Sequence, residues 1–296
     1  MIEKLKEKFP ALIIQQTIPS NEEHEWFLYR EDVYIGIPKH ELTHRDKSML
    51  SIFLTPFQTG EHLSVEQALW HQLISNKPEA VHKFNHVYKE KKMFRFIHFY
   101  LHDEVEMSSF EEAVTSLLVS DLIFLWLHPK GGLLIERDNL EYDFHEDFMN
   151  LRNVIIADFY TDLDLYVGTF FTHDDVIHEV FSWEKHCFEL ARRHSNRKGI
   201  FYFYEVVPFL VLSETSDTLR QQLSTIIKAD FSQEEIKSIK VFIECGLNIS
   251  LAAKQLFMHR NSMQYRVDKF IEKTGIDIKA FQGAFVMYLA ILNHDY

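Results

Sequence analysis

Apolar residues recur along this chain in two rhythms, and the switch between them divides it. Over residues 1–214 short apolar runs alternate with stretches of helical spacing, the mark of mixed strands and helices; from residue 215 only helical spacing remains. A short helix opens the chain, followed by extended segments at Leu12–Thr17, Glu25–Arg30 and Val33–Ile37, with a turn at Arg30-Glu31-Asp32. Ser64-Val65-Glu66-Gln67 has the form of a capping box and predicts a helix that stops at Asn76-Lys77-Pro78. Phe94–Leu101 reads as a buried strand, and Ser109-Phe110-Glu111-Glu112 as a second capping box opening a helix through Leu118. Strands at Asp121–His128 and Gly132–Arg137 flank the hairpin turn Pro129-Lys130-Gly131. A helix near His145–Ile156, a strand at Asp164–Phe171, a long helix at His173–His194 and a strand at Ile200–Tyr204 complete this part. The order β-α-β-β-α-β-α-β predicts a ferredoxin-like sheet with one added strand.

The expected architecture is α+β and multidomain. It comprises a small N-terminal α/β regulatory module (1–88), a ferredoxin-like middle domain (89–214), a linker helix (215–230) and an all-α C-terminal domain (231–296). The linker helix is marked by Leu219, Leu223, Ile226 and Ile227. In the last domain, Ser232-Gln233-Glu234-Glu235 predicts a capped helix running to Cys245 and stopping at Gly246. A final helix carries Phe281, Phe285, Leu289 and Leu292.

Between those helices, residues 248–273 hold two helical patterns meeting across a tight turn. Ile249, Ala252, Ala253 and Leu256 mark the first; Met263, Val267, Phe270 and Ile271 mark the second; Phe257-Met258 lies between. A small residue such as Ala253 lets two helices cross closely, as a helix-turn-helix requires. His259 or Asn261 caps the second helix. Its outward positions are Arg260, Asn261, Ser262, Gln264, Tyr265, Arg266 and Lys269. These cations, amides and hydroxyls are the groups that read base edges and hold phosphates.

The run N-I-S-L-A-A-K-Q-L-F-M-H-R-N-S-M-Q-Y-R-V, followed by T-G-I-D-I, resembles the C-terminal helix-turn-helix of the PucR/CdaR family of bacterial regulators. That domain is itself similar to the DNA-binding end of Fis. The resemblance covers residues 232–292 and is most specific at His259-Arg260-Asn261 and Tyr265-Arg266. Met258, Ser262 and Met263 depart from the usual small aliphatic, Thr and Leu. The preceding domain resembles the degenerate GGDEF-like domain of the same family at Tyr166-Val167-Gly168, Glu189-Leu190-Ala191-Arg192 and Phe201–Val207. A working cyclase needs carboxylates in its G-G-D/E-E-F turn, whereas this hairpin reads Pro129-Lys130-Gly131-Gly132-Leu133-Leu134-Ile135. The resemblance therefore implies a structural, dimerising or sensing role for that domain, and no cyclase activity.

Charge changes the picture by its distribution. The chain of 296 residues has a formal net charge of −13. Residues 230–296 hold eight Lys/Arg and eight Asp/Glu, so the whole excess lies on residues 1–229. An acidic body repels DNA at long range, which predicts modest non-specific affinity and favours dimeric binding. Hydrophobic residues make up 46% of the chain, with 26 Phe, enough for substantial cores. No run of about eighteen uncharged apolar residues occurs, so no membrane span is expected. The charged start MIEKLKEKF lacks a signal-peptide core, and a cytoplasmic location is expected. Cys187 and Cys245 lack metal-site spacing and are expected as buried free thiols.

Rival constellations are weaker. His40-Glu41-Leu42-Thr43-His44 is a literal H-E-x-x-H, the spacing that puts two imidazoles on one helix face for zinc. Pro38 and the preceding V-Y-I-G-I run instead place it at a strand end. His98 and His102 share one strand face and read as hydrogen-bonded histidines rather than ligands. Asp162, Asp164, Asp174 and Asp175 fall at element edges, where Asp caps are ordinary.

The expectation is a cytoplasmic, homodimeric, sequence-specific transcription regulator, not an enzyme and without a cofactor. It binds double-stranded DNA through the helix 259–273 and answers a small-molecule effector whose class the sequence does not name. Arg260 is the expected guanine reader; Asn261 and Gln264 read adenine or hold phosphate; Ser262, Tyr265, Arg266 and Lys269 position the backbone. His259 caps the helix or touches phosphate, with a charge that makes binding pH-sensitive. The alternatives are a zinc-dependent hydrolase using His40, Glu41 and His44, and an interaction scaffold that does not dock on DNA.

Overall fold

A computed structural model describes all residues of the chain except 16–18, 20–22, 31–32, 58–62, 89–92, 119–121, 138–144, 173–175, 195–198, 228–230 and 296. Of the sequence expectations, Thr17, Glu31, Asp32, Asp121, His173, Asp174 and Asp175 lie outside the described residues. The rest fall into two compact units, Met1–Phe203 and Tyr204–Tyr296.

Unit 1 begins with helix α1 (Ile2–Lys8), strands β1 (Ile13–Gln15), β2 (His24–Arg30) and β3 (Val33–Pro38), helix α2 (His44–Leu50) and strand β4 (Thr55–Phe57). Its strands form an antiparallel sheet in the order β1-β3-β2-β4, with Phe27 opposite Ile35. Phe27, Ile35 and Ile37 cover Phe9, Leu12, Leu50 and Leu54 in a small core.

Helices α3 (Val65–Ile74) and α4 (Pro78–Val87) follow, then β5 (Met93–Leu101), α5 (Met107–Leu117), β6 (Leu122–His128) and β7 (Gly131–Arg137). The unit ends with α6 (His145–Phe159), β8 (Leu163–Val167), β9 (Phe171–Thr172), α7 (Ile177–His194) and β10 (Ile200–Tyr202). The second sheet runs β10-β8-β5-β7-β6. Its antiparallel part, β8-β5-β7-β6, is the ferredoxin-like order, and β10 is the added strand, parallel to β8. Strand β5 is central and alternates cleanly. Phe94 and Phe96 face the core of α3, α4 and α7, where Trp70, Phe84 and Phe181 lie. Ile97, Phe99 and Leu101 face α5 and α6, where Phe110, Phe148 and Leu151 lie. The first of these cores spans the boundary expected at 88/89.

Several local expectations are corrected. Helix α5 starts earlier than Ser109: Glu106 is its cap, and its carboxylate accepts from the Ser108 and Ser109 amides at 3.2 and 2.7 Å. The Ser108 and Ser109 hydroxyls, which also donate to it, and then these amides hold the Glu106 carboxyl down at about 2. The strand expected at Asp164–Phe171 is two pieces, β8 and β9, and the Glu184 carboxylate lies beside Gly168 between them. A Cβ there would meet it at 2.2 Å. Pro78 does more than stop α3; it occupies the first turn of α4, where its missing N–H costs nothing. The strand expected to reach Tyr204 ends at Tyr202, and the apolar run after it is helical.

Unit 2 is all-helical: α8 (Phe203–Glu214), α9 (Asp217–Ile226), α10 (Gln233–Glu244), α11 (Ile249–Gln255), α12 (Arg260–Thr274) and α13 (Phe281–Asp295). One core joins them, with Leu212, Leu223, Ile236, Ile239, Phe242, Val267, Phe270, Met287 and Ile291 among its members.

Candidate nucleic-acid interface

Three helices of unit 2 build the candidate surface. Ser232 and Glu235 cap α10 reciprocally, as the sequence predicts. Helix α11 is capped by Asn248, whose side chain accepts from the Leu251 amide at 3.1 Å. Ala252 and Ala253 are buried and let α11 cross close to α12. The α11 helix ends in a Schellman arrangement: the Met258 amide donates to the Ala253 carbonyl at 2.9 Å, and the Phe257 amide to Lys254 at 3.2 Å. This places Phe257 in the left-handed region at φ 52° with its ring 98% exposed. His259 then caps α12, its Nδ1 accepting from the Asn261 amide at 3.3 Å. An accepting Nδ1 leaves the ring proton on Nε2, as an outward donor. Gly275, left-handed at φ 71°, closes α12.

Met263, Val267 and Phe270 anchor α12 in the core. Opposite them, His259, Arg260, Asn261, Ser262 and Tyr265 are exposed, and Gln264, Arg266 and Lys269 are partly so. The outward face is not uniform in charge. Its first two turns carry donors, while Asp268 and Glu272 occupy the turns beyond. Asp268 is held by Lys279 at 2.7 Å and by the Gln264 amide at 2.9 Å to both oxygens, and its carboxyl is lowered chiefly by the Lys279 bond. A polyanion approaching this face therefore meets donors and cations without acids at the amino-terminal end, and acids interleaved with Lys269 and Lys273 further along.

The candidate residues differ in how free they are. Arg260 makes one light bond, Nε to Ser250 Oγ at 3.3 Å. Arg266 is gripped twice from α10: Nη2 to Glu234 at 2.6 Å and Nη1 to the Ser238 hydroxyl at 2.6 Å. Lys269 stands 4.0 Å from Glu235. Gln264 must release Asp268 before its amide can read a base.

Residues 236–292 match the family of the PucR C-terminal helix-turn-helix domain. The YxkF protein of Bacillus subtilis (strain 168), described as uncharacterized, is 33% identical over 267 residues, 88% of this chain and 88% of its own. The chain belongs to the PucR-type regulator family. Similarity to YxkF carries this PucR-type chain's kinship through unit 1 as well. PutR of the same organism, a proline-responsive transcriptional activator, is 31% identical over 61 residues, 21% of this PucR-type chain and 15% of PutR. A regulator of polyketide synthase expression from Bifidobacterium adolescentis aligns over 79% of this chain and 94% of that one. Its identity of 15% and TM-score of 0.39 are too low to carry an architecture.

Elsewhere in the PucR-type chain the rival constellations come apart. His40 and Glu41 lie in a short 3-10 turn (Lys39–Glu41), and Thr43 caps α2, which only begins at His44. The two imidazoles thus never share a helix face. His98 is buried in β5 with Nε2 3.4 Å from Glu184, whereas His102 lies past the strand end and meets Asp164 at 2.9 Å. Gly132, Leu133, Leu134 and Ile135 are buried inside β7. Cys187 is buried, but Cys245 is only partly so, since it ends α10 near the surface. Sequence reading missed the grip of Glu234 and Ser238 on Arg266. The only signal for it was Glu234 and Ser238 standing one turn apart on the helix packed beside α12.

Proposed function

We propose that the chain is a sequence-specific transcription regulator that binds operator DNA as a homodimer. Helix α12 enters the major groove with its amino-terminal end foremost. The observation that carries this is the charge order along α12: cations, amides and hydroxyls from His259 to Arg266, with acids appearing only from Asp268 on. Arg260 reads guanine, its fork needing to give up only the bond to Ser250. Asn261 reads adenine or holds phosphate, while Ser262, Tyr265 and Lys269 position the backbone. His259 offers Nε2–H to a phosphate, and protonation of Nδ1 removes the cap it makes. Arg266 acts first as a strut between α10 and α12. Gln264 is a base reader only after exchange with Asp268.

Unit 1 is the sensing and dimerising part in this reading, and not an enzyme. Buried apolar residues stand in the hairpin where a cyclase of similar topology carries carboxylates. The likeness to PutR extends over only 61 residues, 21% of the chain, so it supports regulation of transcription and leaves the effector open. No described helix is long and apolar enough to cross a membrane. A cytoplasmic location follows from the proposed work on DNA.

Footprinting of the purified chain on the DNA upstream of its own gene tests the dimer reading. Two protected half-sites are expected, separated by about 10 base pairs or a multiple of it. Protection of one isolated half-site would contradict the dimer, and protection of no tract would contradict operator binding.

A further inference from the structure

Between the start of α10 and the flank of α12 runs a groove of about 480 Å³. Ser232, Glu234 and Glu235 line one side; Asn261, Arg266 and Lys269 line the other. The groove is thus walled by the same residues that are expected to hold DNA, faced by two carboxylates. The Ser232–Glu235 capping box engages the Glu235 carboxylate with the Ser232 amide and the Ser232 hydroxyl with the Glu235 amide. Glu234 has no such duty. Its side chain is 74% exposed and accepts from Arg266 at 2.6 Å. Arg266 keeps a second anchor in the buried Ser238 hydroxyl, so its position does not depend on Glu234.

We infer that Glu234 is an affinity-setting residue: it occupies the Arg266 guanidinium in the free protein and competes there with a DNA phosphate. Resting on the DNA-binding reading above, this makes the groove the seat of one backbone phosphate. The acid trims non-specific affinity, since each duplex must displace it, and the Ser238 anchor keeps the guanidinium aimed into the groove meanwhile. A free carboxylate also repels any phosphate that fails to seat, so both effects act in the same direction.

The test measures affinity of the full chain for its upstream duplex against salt, for wild type, Glu234→Gln and Glu272→Gln. The last removes one exposed acid from α12 without releasing an arginine. Glu234→Gln is expected to bind more tightly and to steepen the log–log salt slope by up to about 0.9, because no freed carboxylate then offsets the charge that Arg266 brings to the phosphate. Glu272→Gln is expected to leave the slope at the wild-type value. Equal slopes for Glu234→Gln and wild type, or equal steepening in both variants, would overturn the competition while leaving DNA binding intact. Absence of duplex binding by all three proteins would instead overturn the reading on which it rests.

Discussion

At the scale of single residues, Phe257 is the position where backbone and side chain disagree most. A left-handed residue closing a helix is normally glycine, because a Cβ there is strained. Here it is an aromatic ring with almost no cover. Phe257→Gly should stabilise unit 2 by about 1 kcal/mol, read as a higher urea midpoint. A lower midpoint would show that the ring has cover in the folded protein. The residue types of the recognition face were legible in the sequence because outward positions follow from the spacing of Met263, Val267 and Phe270. Which of them are free was not legible. The partners of Arg266 come from another helix, 28 and 32 residues away in sequence. The Gln264–Asp268 pair lies at i,i+4 and was open to sequence reasoning.

At the scale of elements, caps and crossings decide what forms. The box of Ser232 and Glu235 was readable because both halves are local, and Ser232→Ala should cost about 1 kcal/mol of unit 2 stability in a thermal melt. An unchanged melt would mean that α10 is fixed by packing alone. Ala253 is 3% exposed where α11 meets α12. Ala253→Leu should therefore cost about 1–3 kcal/mol and reduce duplex binding, since extra volume forces the two helices apart. Wild-type stability in that variant would contradict the close crossing. The sequence leaves helix α8 unassigned, and carries the strand before it two residues into it, for a physical reason. Its run of apolar residues, interrupted by Pro208, has no polar face, so its period separates neither strand from helix. The start of α5 was misread because an acid, Glu106, took the capping role that Ser109 could equally have filled.

At the scale of the whole molecule, the two units respond to different stresses. In unit 1, burial pushes His71 down to about 4 from 6.5. The unfolded chain takes up that proton at higher pH than the fold does. Stability from neutral His71 is therefore complete above about 6.5 and is lost as pH falls toward 4, by about 3 kcal/mol. Asp46 and Glu106, with ordinary values of 3.8 and 4.5 and both held near 2, lose their contribution as pH falls from about 4.5 toward 2. The unit 1 urea midpoint should fall between pH 6.5 and 4.5 in wild type and much less in His71→Leu. Parallel curves would assign the loss to other groups. The strand order of the second sheet was legible because each strand and helix is bounded by its own turn signals. The seating of α3 and α4 on that sheet was not, since it depends on contacts made across the connection to β5.

The central claim is that this molecule reads sequence through the amino-terminal end of α12. The direct measurement is fluorescence anisotropy of its upstream duplex and a scrambled duplex, at several salt concentrations, with wild type and Arg260→Ala. Wild type should prefer the upstream sequence, with affinity falling as salt rises. Arg260→Ala should lose about 1–3 kcal/mol of that preference while keeping salt-dependent binding. Equal binding of both duplexes by wild type, or full preference retained by Arg260→Ala, would contradict it.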